Sequence, residues 1–265
     1  TSLVSTYKDT VSASFANADS ASTFSGDGTD VQTITGSAHA DTFTVGTTAA
    51  IVHDLAGGAG EDTLNLTANA GLADVGSISA IQTVNVDVVA GADVTLTTSF
   101  HADVDDVTIT GGNSLSTFTT GTLVGTVESV NASAYTGNIV AAVVADGLDT
   151  TVNITAGALT TDEVTNTIST AATTYALKST GVEILDLDVN AAAISTVSLA
   201  AATGVTTIEV DQGANVATQT VTIDNLTGSE TVTLVASDDA TAGTSEHILA
   251  AKLASASGSA DTIKF

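Results

Sequence analysis

The residues best placed to do chemistry are Gly57-Gly58-Ala59-Gly60-Glu61-Asp62-Thr63-Leu64-Asn65, which satisfy every fixed position of the glycine-rich nonapeptide G-G-x-G-x-D-x-U-x. Glycines permit a tight turn that aims backbone carbonyls at one point, and the Asp adds a carboxylate; a calcium ion takes oxygen ligands of this kind. Gly58, Gly60 and Asp62 are therefore candidate calcium-site residues. A partial copy, Gly36-Ser-Ala-His-Ala-Asp41-Thr-Phe43, keeps the first glycine, the Asp and the apolar position, and it adds Asp41. A glycine turn without metal is the alternative for both.

Further carboxylates crowd together elsewhere. Asp27 and Asp30 flank a glycine, Asp103, Asp105 and Asp106 precede an apolar run, and Asp186 and Asp188 are two apart, so they project from one face of any strand. Thirty Asp and Glu stand against four basic residues, for a net charge of −26. Lys8, Lys178, Lys252 and Lys264 cannot neutralise them, which favours bound divalent cations, with a solvated acidic surface as the alternative for any one pair. The same charge repels nucleic acid and anionic membranes.

Catalytic signatures are missing. His39, His53, His101 and His247 lack H-x-H or H-E-x-x-H spacing, no G-x-S-x-G occurs, and the Gly-rich stretch at 55–60 lacks the Lys-Ser/Thr ending of a phosphate loop. Paired acids could hydrolyse a glycoside, but acids are spread throughout and Trp is absent. The expectation is a non-enzyme.

The elements that must position these residues are short strands. Val84, Val86 and Val88 alternate with Asn85 and Asp87, and Leu185, Leu187 and Val189 alternate with Asp186 and Asp188; each segment has one apolar and one polar face. The chain has no Cys, Pro, Met or Trp and 3% aromatics. Disulfides are excluded, and the core must be thin and built of Ala, Val, Ile and Leu. Gly181, Gly204 and Gly228 each begin a similar Gly-x-x-x-apolar-x-apolar phrase. Such spacing denotes a repeat architecture. With ~22 residues per rung the chain makes about twelve rungs and a rod on the order of 55–60 Å long. The predicted fold is all-β: an elongated β-solenoid or β-helix-like stack with little helix, the alternative being β-sandwich domains. The Ala-rich stretches at 190–196, 199–202 and 247–256 are candidates for helical turns. Residues 1–265 read as one elongated repeat domain, with a glycine-rich sub-region 1–70 and degenerate β-repeats over 71–265.

On the nonapeptide and the Thr-, Ala- and Gly-rich, Cys-free texture, the sequence resembles calcium-binding repeats-in-toxin proteins and, more broadly, bacterial surface-layer proteins exported by type I secretion. The 21-residue separation of the two glycine-rich copies departs from the eighteen-residue rung of the toxin repeats. The resemblance implies an extracellular, cell-surface structural subunit, stabilised by Ca2+, without a catalytic site. It also makes cell-surface polysaccharide a candidate partner.

A β-rod has two ends with unpaired backbone groups. The segment ending in Asp261, Ile263 and Phe265 reads as a further strand able to pair with a neighbouring copy. Repeated head-to-tail contact would give a homopolymeric filament, tube or layer. The rival reading is the stalk or ligand-binding module of a large secreted adhesin or toxin. No apolar run approaches the ~18 residues of a membrane span.

Overall fold

The computed structural model describes residues 2–4, 11–14, 16, 20–25, 32–47, 54–69, 71–73, 77–89, 91, 93–96, 103–123, 126–144, 152–168, 174–189, 194–212, 219–236 and 247–254. They form a parallel β-solenoid with no helix. Parallel pairing throughout excludes the sandwich alternative, whose sheets are antiparallel.

The longest sheet has twelve strands. They are β1 (Ser2–Val4), β3 (Thr23–Ser25), β5 (Thr42–Thr47), β7 (Thr63–Ala68), β10 (Thr83–Val88), β12 (Asp106–Gly111), β14 (Ser129–Tyr135), β16 (Asn153–Thr155), β18 (Thr174–Thr180), β20 (Ile194–Thr203), β22 (Gln219–Leu226) and β24 (His247–Leu253). A four-stranded sheet joins β2 (Val11–Ser14), β4 (Gln32–Thr35), β6 (Asp54–Ala56) and β9 (Ser77–Ser79). An eight-stranded sheet joins β8 (Gly71–Ala73), β11 (Val94–Leu96), β13 (Thr117–Thr119), β15 (Asn138–Val144), β17 (Glu163–Ile168), β19 (Ile184–Val189), β21 (Thr207–Gln212) and β23 (Thr231–Ala236). The second face of the coil is thus the four-stranded sheet early in the chain and the eight-stranded sheet later. The coil that holds β7, β8 and β9 has a strand in all three sheets.

Alternation in the sequence becomes columns in the core. Phe43, Leu64, Val84, Val107, Val130 and Ile154 occupy one register column of the long sheet, and all are buried. Val164, Leu185, Ile208 and Val232 do the same in the eight-stranded sheet. Each buried aliphatic contributes about 1.5–3 kcal/mol. Thr, Ser and Asn take the outward positions, where β-branched Thr suits a half-exposed pleated surface.

Three expectations for helical turns are corrected. Residues 199–202 lie within β20; of 247–256, residues 247–253 form β24, 254 follows it and 255–256 lie outside the described residues; of 190–196, residues 194–196 begin β20 and 190–193 lie outside the described residues. Alanine favours helix in isolation, but here it pairs in register with strands on the neighbouring coil. Lys178, Ser179 and Thr180 align with Ala201, Ala202 and Thr203, so tertiary pairing overrides local propensity.

Candidate functional site: corner carboxylates and an acidic face

Where the chain leaves one sheet for the next, the strand ladder stops and corner N–H groups need other acceptors. Side chains supply them. Three corners of equal length, 36–41, 57–62 and 157–162, begin with Gly and end with Asp. In each, the Asp reaches one coil back to a main-chain amide. Asp41 accepts from the Ser22 N–H, Asp62 from the Asp41 N–H at 2.7 Å, and Asp162 from the Ile139 N–H at 2.8 Å. Gln82 and Glu183 continue the two series, accepting from the Asp62 N–H at 2.7 Å and the Asp162 N–H at 3.1 Å.

The glycines follow from this stacking. A Cβ on Gly57 would lie 1.9 Å from the Ala80 carbonyl oxygen and 2.4 Å from Asp62 Oδ2. Gly58 and Gly60 have φ of +105° and +117°, and a Cβ on Gly58 would meet the Ser37 carbonyl oxygen at 2.1 Å. The nonapeptide therefore has a geometric basis in the approach of successive coils.

The three Asp carboxylates are buried but unequally satisfied. Asp41 also accepts from the Ser37 N–H and, at 3.0 Å, from the Ser37 hydroxyl, so both its oxygens are engaged. Asp62 and Asp162 are fully buried, and Oδ2 of each has no hydrogen-bond partner. Burial raises the pKa of Asp62 above the ordinary 3.8, opposed by the Asp41 amide and reinforced by the charges of Asp41 and Glu61. Burial likewise raises Asp162, opposed by the amides of Ile139 and Gly157. Burial raises Glu183, and the nearby Asp162 charge adds to it. Glu230 behaves oppositely. Burial would raise it, but amides of Thr227, Gly228 and Ser229 and the Thr227 hydroxyl all donate to its carboxylate, and the net shift is downward.

Asp62 Oδ2 and the Ala80 carbonyl oxygen both crowd the position a Cβ on Gly57 would take. The unpartnered Oδ2 suits a proton, and with the Ala80 carbonyl it amounts to two of the roughly six to eight oxygens that calcium takes. Asp41, with both oxygens taken by protein donors, fits a ligand role less well than Asp62.

Of the remaining sequence-predicted ligands among the described residues, Asp103 touches this corner through Ala80, and the others lie on β12, just before it, or on β19. Asp103 accepts from the Ala80 N–H at 2.8 Å, Asp105 occupies the corner before β12, and Asp106 opens β12 on its outer face. Asp186 and Asp188 sit on the outer face of β19, in register with Glu209 and Asp211 of β21. Burial, then the charges of Glu209, Asp188 and Asp211, raise the Asp186 pKa; Glu163 is raised by burial, Asp186 and Glu209. Among the described residues no group of three or more His, Asp or Glu converges on one point to hold a metal ion. Asp27, Asp30, Asp261, Ile263 and Phe265 lie outside the described residues.

Sequence reasoning did not single out Gln82, Asp162, Glu183 or Glu230. The signal for Asp162 was the Gly157-to-Asp162 spacing, which repeats that of Gly36 to Asp41 and Gly57 to Asp62.

Among the described residues no strand follows β24 in the long sheet or β23 in the eight-stranded sheet. Leu234, which shares a core column with fully buried Val210, is 38% exposed, and Leu249, Ala251 and Leu253 are only partly buried.

No protein family matches the chain, and neither a curated protein nor a solved structure is significantly similar to it. No helix among the described residues is long and apolar enough to cross a membrane.

Proposed function

We propose that this chain is a non-catalytic structural subunit that works outside the cell by joining end to end with copies of itself into a filament, tube or layer, with Ca2+ as the stabilising ion. The observation that carries this reading is the incomplete burial of apolar side chains on β23 and β24, the last described strands of their sheets. There the half-exposed Leu234 and the partly buried Leu249, Ala251 and Leu253 extend core columns that stop without a covering strand among the described residues. Such an end offers backbone donors and acceptors together with apolar side chains, the two components of strand addition. A heterologous contact of this kind, repeated, does not close.

Calcium enters at two places. Asp62 would hold an ion through its unpartnered Oδ2, with the Ala80 carbonyl beside it. The acidic face around Asp186 and Asp188 would be screened by ions bound more loosely or bridged to a neighbouring copy. When bound, calcium supplies positive charge to oxygens that otherwise repel one another.

Electron microscopy of the purified chain in millimolar calcium, repeated after excess chelator, tests this. Ordered polymers that shorten or disperse on chelation are expected. Separate rods in every condition would overturn the assembly reading; polymers indifferent to prolonged chelation would overturn the calcium part alone.

A further inference from the structure

We propose that the outer face of the long sheet, from β3 to β16, is a contact surface on which a second copy of this chain packs face to face, without a metal ion. The proposal deepens the assembly reading by naming a lateral contact, but it does not require the end-to-end one.

Charge is the first reason. The chain carries thirty Asp and Glu, yet the outward positions of these seven strands are almost all Thr, Ser or Asn, and Asp87 and Asp106 are the two carboxylates among them. The outer face of β17, β19 and β21 is the opposite, with Glu163, Asp186, Asp188, Glu209 and Asp211. A second copy, itself at −26, meets strong repulsion on the acidic face and little on the long sheet. Packed sheets lie about 10 Å apart, close to the screening length at ordinary ionic strength, so the local charge on the facing surface decides the outcome.

Surface order is the second. Thr23, Thr42, Thr63 and Thr83 align in one outward column, and Ser25, Thr44, Asn65, Asn85 and Thr108 in another. Asn85 Nδ2 donates to Asn65 Oδ1 at 2.9 Å, which fixes both amides along the column. β-Branched Thr loses little rotamer freedom on contact, and small polar side chains in register interdigitate between paired sheets in dry zipper interfaces.

Area is the third. Strands about 4.8 Å apart, five of them about 20 Å long and the three-residue β3 and β16 about 10 Å, give a flat footprint of roughly 600 Å2, somewhat below the ~800 Å2 that each partner contributes to a standard interface. No outward position on these strands is aromatic or cationic, so the face lacks a platform for stacking sugars or a charge for anions.

The chain contains no cysteine, so single reporters can map the contact. Ser25→Cys, Thr44→Cys, Thr63→Cys and Thr108→Cys are compared with Thr165→Cys and Thr233→Cys on the eight-stranded sheet, in chelator under mild oxidation. An isologous contact brings one position next to its own copy, so disulfide-linked dimer should form at least about tenfold faster at the best long-sheet position than at either control. The double variant T44D/T108D, with its circular dichroism checked, should abolish the dimer in sedimentation velocity. Equal linking on both faces, a wild-type chain that stays monomeric in chelator at all concentrations, or a folded T44D/T108D that still dimerises would overturn the proposal. Discrete dimers without filaments would leave this face standing and sink the end-to-end contact. Filaments that persist in the double variant without lateral pairing would do the reverse.

Discussion

Replacing Asp62 with Asn leaves the corner nearly unchanged in shape while removing its charge. The amide oxygen retains the bond from the Asp41 N–H, which is 2.7 Å long in the wild type, and Nδ2 takes the place of the unpartnered Oδ2 beside the Ala80 carbonyl. A buried polar atom left without a partner costs about 1–3 kcal/mol, more when it is charged. Asp62→Asn should therefore stabilise the metal-free protein at neutral pH by roughly 1 kcal/mol or more. Burial and the charges of Asp41 and Glu61 hold the folded-state pKa above the ordinary 3.8, so the folded chain binds the Asp62 proton more tightly than the unfolded chain does. That contribution is complete below the unfolded pKa and is lost as pH rises through the folded value. The advantage of Asp62→Asn should accordingly be small at pH 3.8 and grow as pH rises. Urea unfolding followed by circular dichroism, in chelator across this range, reads it directly. Asp62→Ala serves as the contrast, because it strands the Asp41 N–H and should lose about 1–3 kcal/mol. Calcium at a hundred times its dissociation constant would add about 2.7 kcal/mol to the wild type and far less to Asp62→Asn. The reasoning fails if, in chelator at neutral pH, Asp62→Asn is as damaging as Asp62→Ala, or if its stability follows pH as the wild type's does.

Other substitutions separate satisfied from unsatisfied groups. Asp41→Ala removes the acceptor of both the Ser22 and Ser37 amides and should cost about 2–6 kcal/mol in urea unfolding, at about 1–3 kcal/mol per stranded donor. Tyr135→Phe should lie within about 1 kcal/mol of the wild type, since the buried hydroxyl has no partner and the edge-to-face ring contact with Phe118, 6.3 Å between centroids, survives. In the wild type the phenol is pushed up to about 12 by burial and the charges of Asp93 and Asp162, which alkaline absorbance titration checks. Glu209→Gln should lower the pKa of both Asp186 and Glu163, since its charge helps to raise each; carboxyl carbon chemical shifts against pH would show it.

The coil was legible because its signals are local and repeated. Val84, Val86 and Val88, or Leu185 and Leu187, announce a strand with one buried face, and Gly181, Gly204 and Gly228, all at positive φ, mark corners at nearly constant spacing. The Ala-rich segments misled because alanine carries no face preference; only register with the neighbouring coil decides them. The glycine-rich nonapeptide was visible as a motif, but its inter-coil hydrogen bonds were not. Asp41, Asp62 and Gln82 look unrelated in the sequence until stacking aligns them. Asp41 and Asp62 fare differently because the Ser37 amide reaches Asp41 Oδ2 and its hydroxyl reaches Oδ1, whereas Gly58, at a φ of +105°, brings no hydroxyl and Asp62 Oδ2 has no partner. The contrast between a sparsely charged face on β3 to β16 of the long sheet and an acidic one on β17, β19 and β21 was likewise hidden, since composition averages over faces that only the fold separates.

Sedimentation velocity of the wild type beside L234K/L249K, over a wide concentration range in calcium, tests most directly whether the end of the coil docks copies of the chain. Both substitutions fall on the last described strands of their sheets, so the circular dichroism of the variant should match the wild type. The wild type should form a concentration-dependent series of species, and the variant should lose all species longer than a laterally paired dimer. A folded variant that polymerises as the wild type does would contradict the account.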